Sequence, residues 1–82
     1  MEKEILLEYL SKGEMKICFI KKDGSERVMR CTRNLERIPM EFAESEKSVV
    51  RKESNVIPVY DLDAEGWRSF DYTKLSTAEA LN

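Results

Sequence analysis

Histidine is missing from all 82 residues. Its absence removes the usual general base of nucleophilic catalysis and the commonest zinc ligand. The two cysteines, Cys18 and Cys31, do not by themselves make a structural zinc site. The three glycines stand singly at positions 13, 24 and 66, so no glycine-rich loop cradles a phosphate. A serine, threonine or cysteine nucleophile would need a lysine or carboxylate as its base, and no spacing marks such a pair. Neither enzyme activity nor a cofactor is expected. Long apolar runs are absent too, so no stretch is suited to span a bilayer. No secretory hydrophobic region opens the chain, and a reducing cytosol is the simpler setting for its cysteines. No repeat or low-complexity tract is visible.

What is present is charge. Lysine and arginine number 14 and aspartate and glutamate 16, a net charge of −2, which argues against a generally basic coat for nucleic acid. The distribution is uneven. Residues 61–82 hold Asp61, Asp63, Glu65, Asp71 and Glu79 against Arg68 and Lys74. Residues 21–37 hold Lys21, Lys22, Arg27, Arg30, Arg33 and Arg37 against Asp23, Glu26 and Glu36. One end of the molecule can therefore carry positive potential despite the acidic total. The length allows one domain, residues 1–82, with a small core that an oligomer would help to bury.

The segment from Met15 to Thr32 predicts a β-hairpin. Met15, Ile17 and Phe19 alternate with the period of a strand that buries one face. Gly24 can take the positive φ of a tight turn. A two-residue loop at Asp23-Gly24 would set Ile17 opposite Arg30. A three-residue loop, Lys22-Asp23-Gly24, sets Ile17 opposite Met29 and Met15 opposite Cys31. Matching apolar sides favours the second, with a bulge at Gly24. The cysteines then lie on opposite faces. Lys16, Cys18 and Ile20 share the other face with Glu26, Val28, Arg30 and Thr32, and that face is solvated, partner-facing or ligand-facing.

Around the hairpin, residues 1–12 predict a short amphipathic helix burying Ile5, Leu6, Tyr9 and Leu10 and stopping at Gly13. Such a helix is marginal alone and is expected to dock on the sheet, or to be exposed for a partner or dimer. Pro39 begins a helical turn through Glu44, within a charged excursion at 41–55 that holds a short strand at 47–52. Val56 to Leu62 predicts a strand, either at an edge or kinked, because Pro58 cannot donate to a ladder. Trp67 to Tyr72 predicts the last strand, and residues 76–82 are expected to fray.

Three constellations invite a chemical reading. Asp61-x-Asp63-x-Glu65-Gly66 imitates the start of a calcium loop, but Tyr72 stands where the bidentate acid belongs, so an acidic turn is the better reading. Arg30, Arg33 and Arg37, with Lys16, Arg51, Lys52 and Arg68, offer guanidinium forks and ammonium groups suited to a nucleic-acid backbone or a nucleotide. The plainer alternative is a solvated surface balanced by Glu26, Glu36, Glu41 and Glu44. Trp67 and Tyr60 suit either base stacking or the edge of the core.

Phe19-x-Lys21-Lys22-Asp23-Gly24, Arg27-x-Met29-x-Cys31-Thr32, Ile38-Pro39, Val59-Tyr60-Asp61-Leu62 and Gly66-Trp67-Arg68-Ser69-Phe70 together resemble a family of small phage proteins, the WYL-like domains with an Sm-type SH3 barrel. The resemblance covers residues 14–75. It implies a mainly β (α+β) fold, a strongly bent antiparallel sheet partly closed into a barrel behind the N-terminal helix. It also implies a phage product working in the host bacterial cytoplasm. WYL proteins sense nucleic acids or nucleotides, and Sm-type barrels bind RNA and form rings or dimers. The expectation is a non-catalytic accessory protein that binds RNA, or inhibits a host defence factor such as a toxin ribonuclease with RNA's help. Lys16, Arg30, Arg33, Arg37, Arg51, Lys52, Trp67 and Arg68 are its contact residues. The alternatives are a nucleotide sponge and a protein-only inhibitor.

Overall fold

A computed structural model describes residues 2–81; Met1 and Asn82, the outer ends of the expected helix and tail, lie outside the described residues. Helix α1 (Lys3–Lys12) leads directly into β1 (Glu14–Ile20), which turns back into β2 (Glu26–Thr32). A single helical turn at Leu35–Arg37, the short helix α2 (Met40–Ala43) and a further turn at Glu46–Ser48 fill the excursion. Then come β3 (Val56–Asp61), β4 (Gly66–Asp71), a turn at Tyr72–Lys74 and β5 (Leu75–Ala80). The five strands form one antiparallel sheet in the order β4-β3-β2-β1-β5.

The hairpin takes the register that apolar matching selects, with Met15 opposite Cys31 and Ile17 opposite Met29. Lys21 N–H donates to Ser25 C=O at 2.8 Å, leaving Lys22, Asp23 and Gly24 as the loop, and Gly24 has φ 87°. Leu6, Leu10, Met15, Ile17, Phe19, Met29, Cys31, Ile57, Val59 and Phe70 form the buried core.

The sheet bends hard, for two local reasons. β1 carries a bulge between Cys18 and Phe19 against β5, which tightens its curvature. β2 and β3 share only two paired positions, Cys31 with Asp61 and Thr32 with Tyr60, whereas β3 and β4 pair along six. The β3–β4 hairpin thus hinges on the end of β2 and folds over the core. As a result the rings of Phe19 on β1 and Phe70 on β4 stack 5.5 Å apart, although two strands separate them in the sheet. The sheet remains open, with β4 and β5 as its edges among the described residues.

Helix α1 docks with a narrower face than its apolar residues suggest. Leu6 and Leu10 are fully buried, but Ile5 and Tyr9 are 44% and 48% exposed. The stripe that faces inward runs Lys3, Leu6 with Leu7, then Leu10, a helical spacing of three and four. Lys3 fixes that rotation by donating to the carbonyls of residues 51, 52 and 54. Gly13 ends the helix in extended backbone (φ −174°) and passes straight into β1. The orphan carbonyls at this end are met by the end of β2. Arg33 N–H donates to Leu10 C=O at 2.9 Å, and the Asn34 amide donates to Lys12 C=O at 3.2 Å. Thr32 lies on the face that strict alternation assigns to it, opposite Glu14 and Tyr60, but its Oγ1 donates to Gly13 C=O at 2.7 Å and it is fully buried beneath the end of α1, not solvated.

Three other expectations are corrected. The expected frayed tail forms β5 through Ala80, because β1 would otherwise leave one side of its backbone unpaired and because Leu75 and Ala78 tuck against the core. The expected strand at 47–52 is instead a helical turn at Glu46–Ser48 followed by loop. β3 is interior to the sheet and not an edge, yet Pro58 fits. Its stretch of β3 lies beyond the two positions paired with β2, so the missing N–H points where no ladder bond is due. The Pro58 carbonyl on that side accepts from Arg33 Nη1 at 2.7 Å instead.

Candidate functional site

β3 is buried on both faces. Ile57 and Val59 face the core, while Pro58 and Tyr60 lie beneath the excursion. A second, smaller cluster forms on this outer side. Phe42 of α2 meets the Tyr60 ring at 5.8 Å, and Tyr60 meets Trp67 edge-on at 6.1 Å. Trp67 Nε1–H donates to the Phe42 carbonyl at 2.8 Å, which pins the indole to the excursion. The Arg33 guanidinium lies over the indole, 5.9 Å from its centroid. Desolvation lowers the Arg33 pKa from the ordinary arginine value.

The excursion stands away from the outer face of the β3–β4 hairpin and leaves a groove of about 490 Å³. Val49, Val56, Pro58 and Trp67 supply its apolar surface. Lys47, Arg51 and Arg68 supply charge, against one acid, Glu46. Among the described residues, those three bases enter no ion pair. The wall carrying Arg51 is fixed from behind by Lys3. Its ammonium matches three N–H bonds to three backbone carbonyls, with Nζ 2.9 Å from Arg51 O and 3.3 Å from Lys52 O. A groove with flat apolar surface and free cations at its rim suits a planar base joined to a phosphate.

The residues expected from sequence divide between two places. Arg51, Trp67 and Arg68 line the groove. Lys52 lies in a shallow hollow that adjoins it through Arg51 and Ser54. Arg33 sits under the groove as a support for Trp67 and Pro58. Arg30 and Arg37 lie apart from these and meet at the carboxylate of Glu14, at 3.4 and 3.0 Å. Arg30 also pairs with Asp63 at 3.2 Å, so two acids oppose these two arginines. Lys16 lies on the sheet between Arg30 and Glu79. The three arginines that sequence spacing groups together therefore do not act as one surface: Arg33 turns away from Arg30 and Arg37.

Lys47 was not among the expected contact residues. Its signal was the charged excursion itself, whose placement depends on an indole N–H finding a carbonyl 25 positions earlier. The acidic turn is also internally committed. Asp61 is buried, its Oδ1 accepts the N–H groups of Asp63 and Ala64 at 3.0 Å each, and its Oδ2 accepts from Arg27 at 3.2 Å.

Among the described residues no helix is long and apolar enough to cross a membrane. A comparison with curated proteins finds similarity to an uncharacterized 11.5 kDa protein of the Gp31–cd intergenic region of Enterobacteria phage T4. It is 32% identical over 80 residues, covering 96% of this chain and 78% of that protein. No solved structure matches. A family model described as WYL_2, Sm-like SH3 beta-barrel fold, matches residues 3–76. With the bent five-stranded sheet and its N-terminal helix, this match places the chain in the WYL_2 family of Sm-like SH3 β-barrel fold.

Proposed function

We propose that the protein is a non-catalytic phage accessory factor that binds single-stranded RNA in the groove between the excursion and the β3–β4 hairpin. In this reading it acts in the host cytoplasm as an RNA-binding or RNA-assisted inhibitor of a host defence factor such as a toxin ribonuclease. The observation that carries the reading is the conjunction of Trp67 with three unpaired bases, Lys47, Arg51 and Arg68, in one groove. Base stacking on an aromatic ring contributes about 1–3 kcal/mol per base without regard to sequence. The phosphates supply the salt-dependent remainder. Arg30 and Arg37 contribute less, because a phosphate there must displace Glu14 and Asp63.

A second reading, a nucleotide sponge, is favoured by size alone: a groove of about 490 Å³ lies within the range of small-molecule sites. A salt titration of RNA binding tests the first. Affinity should fall steeply with salt, and Arg51→Gln with Arg68→Gln should flatten the log–log slope by about 1.4, at about 0.7 per single-strand phosphate contact. Arg30→Gln with Arg37→Gln should change affinity less than twofold. Affinity indifferent to salt, or an unaltered Arg51/Arg68 double variant, would refute RNA binding in the groove.

A further inference from the structure

A second hollow opens where the β1–β2 turn approaches the end of β4. It measures about 310 Å³, with Ile20, Val56 and Phe70 as its apolar surface and Lys21, Lys22 and Lys74 around it. Asp71 is its one acid, and that carboxylate is occupied in capping the following turn. Its Oδ1 accepts both the N–H (2.9 Å) and the hydroxyl of Thr73. This hollow is not isolated. Val56 and Ser69 line both it and the groove. Trp67 lines the groove and Asp71 the hollow, and they stand four residues apart on one face of β4, about 13 Å along the strand. The charge is concentrated here: six of the chain's 14 bases line the two cavities, and only two of its 16 acids. The acidic total of the chain conceals a continuous basic track.

We propose that Lys21, Lys22 and Lys74 form a second phosphate subsite, so that one single-stranded RNA runs from the groove across the Val56–Ser69 boundary into this hollow. The inference rests on the RNA reading of the groove and extends it to the length of ligand. A mononucleotide carries its phosphate to one cavity. A strand presents phosphates to both, because each linkage carries a charge. Lysines suit the role, since they act as mobile point charges on a backbone and read no sequence.

The test compares two probes on the intact chain by fluorescence anisotropy competition: uridine monophosphate and a ten-nucleotide oligouridylate. The variants are Lys21→Gln/Lys22→Gln/Lys74→Gln, all at exposed positions, and Arg51→Gln/Arg68→Gln. Thermal melting confirms that each folds. The triple-lysine variant should bind the ten-mer at least tenfold more weakly in low salt and lose about 2 from the salt slope. It should bind the mononucleotide within twofold of the parent, whereas the arginine variant weakens both. A triple-lysine variant that binds the ten-mer like the parent overturns the second subsite and leaves the groove reading intact. Equal weakening of both probes overturns it too, by reducing the lysines to a distant field. Failure of the parent to bind either probe overturns the groove reading itself. Polyglutamate binding as tightly as RNA would assign the track to an acidic protein.

Discussion

Thr32 tests the account of how the helix is joined to the sheet. Its side chain is fully buried, its hydroxyl donates to Gly13 C=O at 2.7 Å, and it accepts the Asn34 N–H at 3.0 Å. Thr32→Val keeps the shape and strands both partners. Leu10 C=O, 3.3 Å from the same hydroxyl, retains the Arg33 N–H. A buried polar group left unpaired is destabilising by about 1–3 kcal/mol. Asn34 is only partly buried, so water can serve it, and the total should be about 2 kcal/mol. Unfolding entropy for a chain of 82 residues is about 170 cal/mol/K, so Tm should fall by about 12 °C. Thr32→Ser keeps both hydrogen bonds and loses one methyl, about 1 kcal/mol or about 6 °C. Thermal unfolding followed by circular dichroism should therefore rank the parent above Thr32→Ser, and Thr32→Ser above Thr32→Val. A valine variant that melts with or above the serine variant would show that packing alone, and not the hydroxyl, joins α1 to β2.

Two further outcomes follow from the hairpin. Gly24 has φ 87° with open space where a Cβ would stand, so Gly24→Ala should be destabilising by about 1–2 kcal/mol through backbone strain alone; an unchanged denaturation midpoint would refute the loop geometry. Burial, with a smaller contribution from Asp61, pushes the Cys31 thiol up to about 12 from an ordinary value of 9.0. The folded value is the higher one, so the unfolded chain loses its proton first. Stability attributable to this thiol is complete below about pH 9 and is lost as pH rises from there towards 12. Denaturant midpoints at pH 8 and pH 10.5 should separate more in the parent than in Cys31→Val, and an equal separation would refute the burial argument.

Local pattern was sufficient for the hairpin and for two of the three later strands, β3 and β4. Alternation at Met15, Ile17 and Phe19, matched to Met29 and Cys31, leaves one acceptable register, because any single-residue slip turns an arginine inward. β3 and β4 were legible as strands from the β-branched and aromatic composition of Val56–Val59 and of the Trp67–Phe70 run, though β3's place inside the sheet was not. β5 was not legible, since Ser76, Thr77, Ala78 and Glu79 carry no strand signature of their own. They become a strand because β1 offers an unpaired edge and Leu75 and Ala78 find the core. The helix likewise announced its existence but not its rotation, which Lys3 sets through carbonyls some fifty positions away.

The candidate site divides along the same line. Residue chemistry in the sequence singled out Arg51, Trp67 and Arg68 as groups able to hold an anion and a base. It equally singled out Arg30, Arg33 and Arg37, which are close in sequence. Tertiary structure alone decided between them. Glu14 and Asp63 reach Arg30 and Arg37 because β1 and the β3–β4 turn pass beside β2, and Arg33 is drawn beneath Trp67 by an open carbonyl on Pro58. The amino-acid order determined which segments pair and which groups carry charge, because those follow from neighbours along the strand. Which charges are left unneutralised, and in whose company, depends on contacts between segments far apart in the chain, and only the folded molecule specifies them.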